Sequence, residues 1–383
     1  MKEIKAIYKK FLLFSLLVYI STLTTSCRHE QDKPQNVNFD LINGKIELNF
    51  EDLLRKYEIV QLETNKECLL SGNTKYCITE NYIIAIDPDK IYKFDKKGNY
   101  ISTLARRGNG PDEFGTVVNP IIVPGKEILY YIDFNRIGKI QRLDIINEVL
   151  LTSIEPISGF FSIYAADNDG FIYGISNTGM NIADKESDSL SLAFKYNPDT
   201  DSLFIFRGTK KFNTSMFGNI FYGNSVDFSL LNFNYSDTLF KIKNNKLIAK
   251  YIIELEKRIG ATSNSGSELR LIFENRHGYV FHKFDSEIIK RENGSLERKL
   301  ISSNYLFLDK LSGKLNILES VYFKEFEQRV YLAKDSELNI FPLPVTSGEY
   351  AYWIIDAVYG KLINKSYSND ENSNPLILFG KIN

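Results

Sequence analysis

The chain has 383 residues, with 47 Lys and Arg against 48 Asp and Glu, for a formal net charge of −1 at pH 7. That length allows one large core or two to three smaller domains, and the balanced charge supplies no global field to draw in nucleic acid, so no nucleic-acid partner is expected. The 23 Tyr and 27 Phe, with abundant Ile and frequent Gly, Asn and Asp breaks, favour strands over helices, because aromatic and β-branched side chains suit a pleated surface.

At the N-terminus, Lys2, Lys5, Lys9 and Lys10 precede an apolar run from Phe11 to Leu23. This run is shorter than the roughly 20 apolar residues of a membrane-spanning helix and reads as a secretory signal. It leads into Thr-Thr-Ser-Cys, ending at Cys27, and then a polar stretch through Asn36. The order of charged, apolar and small residues before a cysteine resembles a bacterial lipoprotein signal, in which that cysteine is acylated and becomes the new N-terminus. The expected organisation is a signal peptide over 1–26, a flexible, disordered tether over 27–45 and a folded region over 46–383. Acyl chains on Cys27 would hold the protein on a membrane of the cell envelope, with the outer membrane, periplasmic or surface-facing, as the expected location.

Residues 51–64 begin with one helical turn and continue as the alternating strand Glu-Ile-Val-Gln-Leu-Glu, a candidate to close a ring of sheets by joining the last one. Cys68 and Cys77 follow. Outside the cytoplasm they could form a disulfide across a hairpin through Ser-Gly-Asn-Thr, or remain two separate buried thiols.

An internal repeat organises the rest. Residues 81–104 and 127–154 each run apolar strand ending in Ile-Asp, turn, strand ending in Asp, turn, strand. Looser copies occupy 170–206, 227–255 and 303–318, and a last one combines 349–364 with 374–383. The turns Lys-Lys-Gly-Asn, Asn-Pro-Asp-Thr-Asp, Lys-Asn-Asn-Lys and Leu-Ser-Gly-Lys carry the residues that tight hairpins need at positive φ. Antiparallel meanders repeated every ~40 to 50 residues are the signature of a β-propeller, and the chain beyond the tether has room for six blades. The expected fold is therefore all-β, a six-bladed β-propeller. The interval 256–302 looks more helical and more charged and is expected to insert on one face.

These residues together resemble the six-bladed, NHL-repeat-like β-propeller lipoproteins of bacteria. The resemblance rests on Cys27, on Ile59 to Asn65, on 92–114 with Pro120, on 235–251 and on the closing Asn-Pro-Leu-Ile-Leu-Phe-Gly-Lys-Ile. It implies the fold and an extracytoplasmic location and says little about mechanism. It also implies that Ala-Arg-Arg-Gly-Asn-Gly-Pro-Asp-Glu-Phe, 105–114, joins the outer strand of one blade to the inner strand of the next. Gly108 and Gly110 would then supply unusual φ, Pro111 would stiffen the turn and Phe114 would anchor it between blades.

Chemistry is harder to find. The 105–114 stretch lacks the phosphate-loop pattern, Pro111 removes a donor, and strand-like rather than helical sequence follows. The three histidines, His29, His277 and His282, form no metal-ligand pattern, and no Gly-x-Ser-x-Gly occurs, so no catalytic residue is assigned. Asp87 and Asp133 end equivalent strands and are the one candidate metal pair, for an axial Ca²⁺; no other cofactor is expected. Arg106, Arg107, Asn109, Asp112, Asp133, Asn135 and Arg136 form a candidate polar surface for a glycan, peptide or protein partner. The expected function is a membrane-anchored binding or scaffold module; the alternative is a Ca-dependent hydrolase or lyase on the same propeller.

Overall fold

The computed structural model describes residues 33–133, 135, 139–154, 160–176, 189–209, 219–223, 228–232, 237–257, 265–291, 295–324, 328–331, 345–347, 349–355, 357, 367, 370 and 372–382. First come β1 (Gln35–Asn38), β2 (Lys45–Asn49), a single helical turn α1 (Phe50–Leu53) and β3 (Leu54–Gln61). The described strands assemble into six sheets.

The first sheet takes β4 (Lys75–Ile78), β5 (Tyr82–Ile86), β6 (Lys90–Asp95) and β7 (Tyr100–Arg107), with β8 (Glu113–Phe114) parallel along the edge of β7. The second takes β9 (Val117–Val123), β10 (Ile128–Asp133), β11 (Ile140–Asp144) and β12 (Val149–Ile154). The third takes β13 (Phe160–Ala166), β14 (Ile172–Ser176), β15 (Ser189–Asn197) and β16 (Ser202–Thr209). The fourth takes β17 (Asn219–Gly223), β18 (Phe228–Asn232), β19 (Thr238–Lys243) and β20 (Lys246–Glu254), with β1 on the edge of β20. The fifth takes β21 (Ser265–Glu274), β22 (Gly278–Lys290), β23 (Leu296–Asp309) and β24 (Leu315–Phe323), flanked by β2 and β25 (Gln328–Tyr331). The sixth combines β26 (Val345–Ser347), β27 (Tyr350–Ile355) and β28 (Leu376–Ile382) with β3 from the other end of the chain, in the register Leu376↔Gln61 to Ile382↔Leu54.

Turn chemistry explains why each meander folds back on itself. Gly98 (φ 87°), Asp201 (φ 52°), Asn244 and Asn245 (φ 51° and 57°) and Gly313 (φ 68°) occupy the left-handed region in the four turns marked in the sequence. An Asp or Asn at or beside the end of the third strand caps the following turn. Asp95 accepts from the N–H of Lys97 and Asn99, Asp144 from Ile146 and Asn147, Asn197 from Asp199 and Thr200, and Asp309 from Ser312. These Asx turns are the physical content of the repeated strand-ending acid.

The core lies between sheets rather than on one side of each. Leu129 and Tyr131 of β10 pack with Ile84, Ile86 and Phe114 toward the first sheet, while Tyr130 packs with Ile163, Phe194 and Tyr196 toward the third. Period-two alternation therefore sends successive side chains into two different hydrophobic clusters, and both faces are buried. Another cluster joins Val60, Ile377 and Phe379 of the sixth sheet to Ile83 and Phe94 of the first.

One correction concerns the interval 256–302. Its described parts are chiefly strand, forming β21, β22 and the start of β23: buried Leu269, Leu271 and Phe273 alternate with Glu268, Arg270 and Ile272, so the charges of this interval sit in a strand pattern rather than a helical one. A second correction concerns the tether: residues 36–45 are part of the fold, with β1 paired to β20 and Phe39 fully buried against Phe281. A third concerns the cysteines. Cys68 and Cys77 are both buried and unbridged; Cys68 donates to the Glu63 carbonyl at 3.2 Å and Cys77 to the Pro120 carbonyl at 3.7 Å, in different clusters.

Gly380 pairs with Tyr57 across β28 and β3, and a Cβ there would meet the Lys56 carbonyl oxygen and Leu54 Cδ1. Gly380→Val is expected to cost ~2 kcal/mol through this overpacking, read as a lower midpoint in chemical denaturation. Gly72→Ala, where nothing lies within 4 Å, should leave the midpoint unchanged.

Candidate functional site

In the first two sheets, the acid after the second strand's last apolar residue holds the segment that leads into that sheet's own first strand. Asp87 follows β5, and its Oδ2 accepts from the Ser71 N–H at 2.7 Å and the Thr74 hydroxyl at 2.8 Å, just before β4. Asp133 ends β10, and its carboxylate accepts from the N–H groups of Gly115 (2.9 Å) and Thr116 (3.1 Å), just before β9, and from that of Asn135 (3.1 Å), just after β10. Both side chains are buried. Their oxygens face backbone donors, which suits turn-capping rather than a shared cation, and among the described residues no group of three or more His, Cys, Asp or Glu side chains is placed to hold a metal.

The 105–114 loop lies at this same end of the sheets. Phe114 is buried in the cluster between the first and second sheets, as an anchor should be. The Arg107 N–H donates to the Asp89 carbonyl and the Gly108 N–H to the Phe114 carbonyl, while the Glu113 carboxylate accepts from the Gly110 N–H at 2.7 Å. Gly108 and Gly110 are not in the left-handed region; a Cβ on Gly108 would press on the Glu113 carboxylate, the far end of a side chain that can move. The backbone of the loop is held on both flanks, yet Arg106, Arg107, Asn109 and Asp112 are exposed. Arg107 makes only a long contact to Asp89, at 3.9 Å. Exposed Asn135 joins this surface through Asp133. Arg136 and Cys27 lie outside the described residues.

The opposite end of the same strands holds a cleft that the sequence did not reveal. It is lined by Ile78, Thr79 and Glu80 at the end of β4, by Ile122, Pro124, Gly125 and Glu127 around the β9–β10 turn, and by Glu349 and Tyr350 at the start of β27. Glu127 is 7% exposed. Its Oε1 accepts from the side-chain and backbone N–H groups of Asn81, at 3.0 and 3.3 Å, whereas Oε2 has no hydrogen-bond partner. Lys381 bridges Glu349 at 3.4 Å and Glu80 at 3.7 Å. The Lys96 ammonium is buried over the rings of Tyr350 and Phe379, 4.3 Å from each centroid, with no hydrogen-bond acceptor. Burial pulls Lys96 down to about 8, against the opposing pull of Glu58, Glu127 and Glu80.

Residues 35–381 match the model of a domain of unknown function, DUF4934. The chain belongs to the DUF4934 family. No curated protein matches it. Among solved structures it is similar to a candidate exported protein from Bacteroides fragilis, at 12% identity and a TM-score of 0.57, covering 89% of this chain and 99% of that one. It also resembles, at TM-scores of 0.38, the WD40 domain of Neurospora crassa Pan2 (8% identity, 81% and 75% coverage) and the hydrazine synthase of Kuenenia stuttgartiensis (11% identity, 81% and 84% coverage). Among the described residues, no helix of this DUF4934 chain is long and apolar enough to cross a membrane.

Among the described residues lies a Ser–His pair that spacing along the chain could not show. His282 Nε2 and Ser303 Oγ share a hydrogen bond of 2.6 Å across β22 and β23, with the imidazole stacked on Tyr305. Burial, with help from the Arg270 charge, lowers His282 to about 4. Such an imidazole is a weak general base at neutral pH, which weighs against nucleophilic catalysis through this pair.

Burial by itself would raise Asp87, but hydrogen bonds from Ser71, Thr74 and Asp89 outweigh it and hold its carboxyl below the ordinary carboxylate value. A depressed folded-state value stabilises the fold above pH ~4, and that contribution is lost as pH falls through the folded value. Asp87→Asn is therefore expected to lose about 1–3 kcal/mol at neutral pH, measured by denaturant unfolding, with the gap to wild type closing below pH ~4.

Proposed function

We propose that this DUF4934 protein is a six-bladed, NHL-like β-propeller lipoprotein of the bacterial cell envelope, tethered through acyl chains on Cys27 and acting as a binding or scaffold module. Its partner is a peptide, protein or glycan met by the 105–114 loop. The observation that carries this reading is the contrast within that loop: a backbone pinned by Asp89, Phe114 and Glu113, and side chains of Arg106, Arg107, Asn109 and Asp112 left to solvent. A rigid scaffold that presents unspent polar groups loses little conformational entropy on binding. Six sheets in chain order, joined at the ends by β3 and β28, support the propeller reading. Support for export and anchoring comes from the order of residues before Cys27 and from the description of the similar Bacteroides fragilis protein as a candidate exported protein.

Two measurements test the proposal. Labelled palmitate should enter the wild-type chain and not Cys27→Ala; label in the variant overturns the anchor. Arg106→Ala with Arg107→Ala should retain the melting temperature and lose partners captured by cross-linking in the native envelope. An unchanged set of cross-links would reduce the loop to a joint between sheets.

A further inference from the structure

The cleft at the far end of the sheets is separate from the 105–114 loop: β10 runs from Ile128, next to Glu127, to Asp133 at the loop end. Three of its lining groups are carboxylates, Glu80, Glu127 and Glu349, and three are apolar, Ile78, Ile122 and Pro124. Lys381 bridges Glu80 and Glu349. That leaves Glu127, which has one oxygen held by Asn81 and the other without a hydrogen-bond partner although the residue is 93% removed from solvent. A buried carboxylate oxygen without a donor is costly, and natural structures keep such groups where a ligand or water completes them.

We propose that the Glu127 cleft is a recognition site for the alkylammonium or guanidinium end of a lysine or arginine side chain on a partner peptide. The cation would donate to Glu127 Oε2, while its alkyl stem lies along Ile78, Ile122 and Pro124, the way long cationic side chains bury their stems. Lys96 is the built-in competitor. Its ammonium shares the electrostatic field of Glu127, Glu80 and Glu58, with Lys381 nearby as a like charge, and it has no hydrogen-bond acceptor of its own. An arriving cation is repelled by Lys96 and attracted by Glu127, so the two residues should act with opposite sign.

The probe is N-acetyl-lysine methylamide, titrated into the folded protein with the methyl groups of Ile78 and Ile122 observed by NMR. These resonances should shift with saturation, and the uncharged N-acetyl-norleucine methylamide should leave them in place. Equal shifts from the uncharged probe overturn the proposal without any variant. Free n-butylammonium separates the two sources of the cation: weaker binding than the lysine probe supports a peptide-borne side chain, and tighter binding overturns that assignment in favour of a free amine. Glu127→Gln should weaken the lysine probe roughly tenfold or more. Lys96→Met should tighten it by roughly two- to tenfold, an increase that a merely structural lysine would not produce. Raising the pH from about 7 to 9 should tighten binding in wild type as Lys96 loses its proton, and not in Lys96→Met. An unchanged Glu127→Gln, or a weakened Lys96→Met, rejects the site. Because no probe touches Arg106 or Arg107, failure here leaves the loop reading standing, and the reverse.

Discussion

Strands β3 and β28 come from opposite ends of the folded chain, and the antiparallel ladder between them is the contact on which the rest depends. Without it the sixth sheet would have an open edge at β28 and the first sheet would lose its neighbour across the Val60, Ile377 and Phe379 cluster. Asn374, almost wholly buried, ties the seam further. Its side chain donates to the carbonyls of Glu63 and Cys68 and accepts from the Leu70 N–H, so the chain leaving β3 is fastened to the chain entering β28. Contacts this distant in sequence carry a loop-closure entropy cost that the ladder and its packing must offset.

Once the sheets are stacked, acids at their strand ends decide what the loops can do. Asp87 and Asp133 spend their carboxylates on backbone N–H groups of the segments entering their own sheets, and Asp95, Asp144 and Asp309 spend theirs on turns. The work of these groups is conformational, and each is satisfied by donors within its own sheet or its entry segment. What the scaffold displays but does not use is a small set of side-chain groups. At one end these are the exposed groups of the 105–114 loop; at the other, the second oxygen of Glu127.

The two ends differ in electrostatic character for a structural reason. The loop end places its arginines in water, where charge is cheap and pairing is weak, as the 3.9 Å contact between Arg107 and Asp89 illustrates. The turn end draws Glu127 and Lys96 inward because the β9–β10 turn, the β6–β7 turn and the start of β27 converge between the first, second and sixth sheets. Charges held there are coupled through a poorly solvated medium, which is why Lys96 is displaced from its usual value.

Local chemistry carried much of the fold. Turn residues such as Gly98, Asn244, Asn245 and Gly313, and the acids before them, marked the hairpins, because positive φ and Asx capping depend only on a few adjacent residues. The alternation in 58–63 marked a closing strand for the same reason. Readings that depend on distant partners went differently. The strands of 265–302 looked helical because charged residues crowd the apolar ones there, and only pairing with neighbouring strands shows the extended register; Phe39 looked like tether because its pocket is made by β22. Cys68 and Cys77 sit in separate clusters on either side of a sheet, a fact of side-chain direction that separation along the chain cannot express. The exposed polar groups of the 105–114 loop were readable because one contiguous stretch carries them. The Glu127 cleft was not, since its walls come from segments around residues 79, 125 and 350, and only packing of the first, second and sixth sheets brings those carboxylates together.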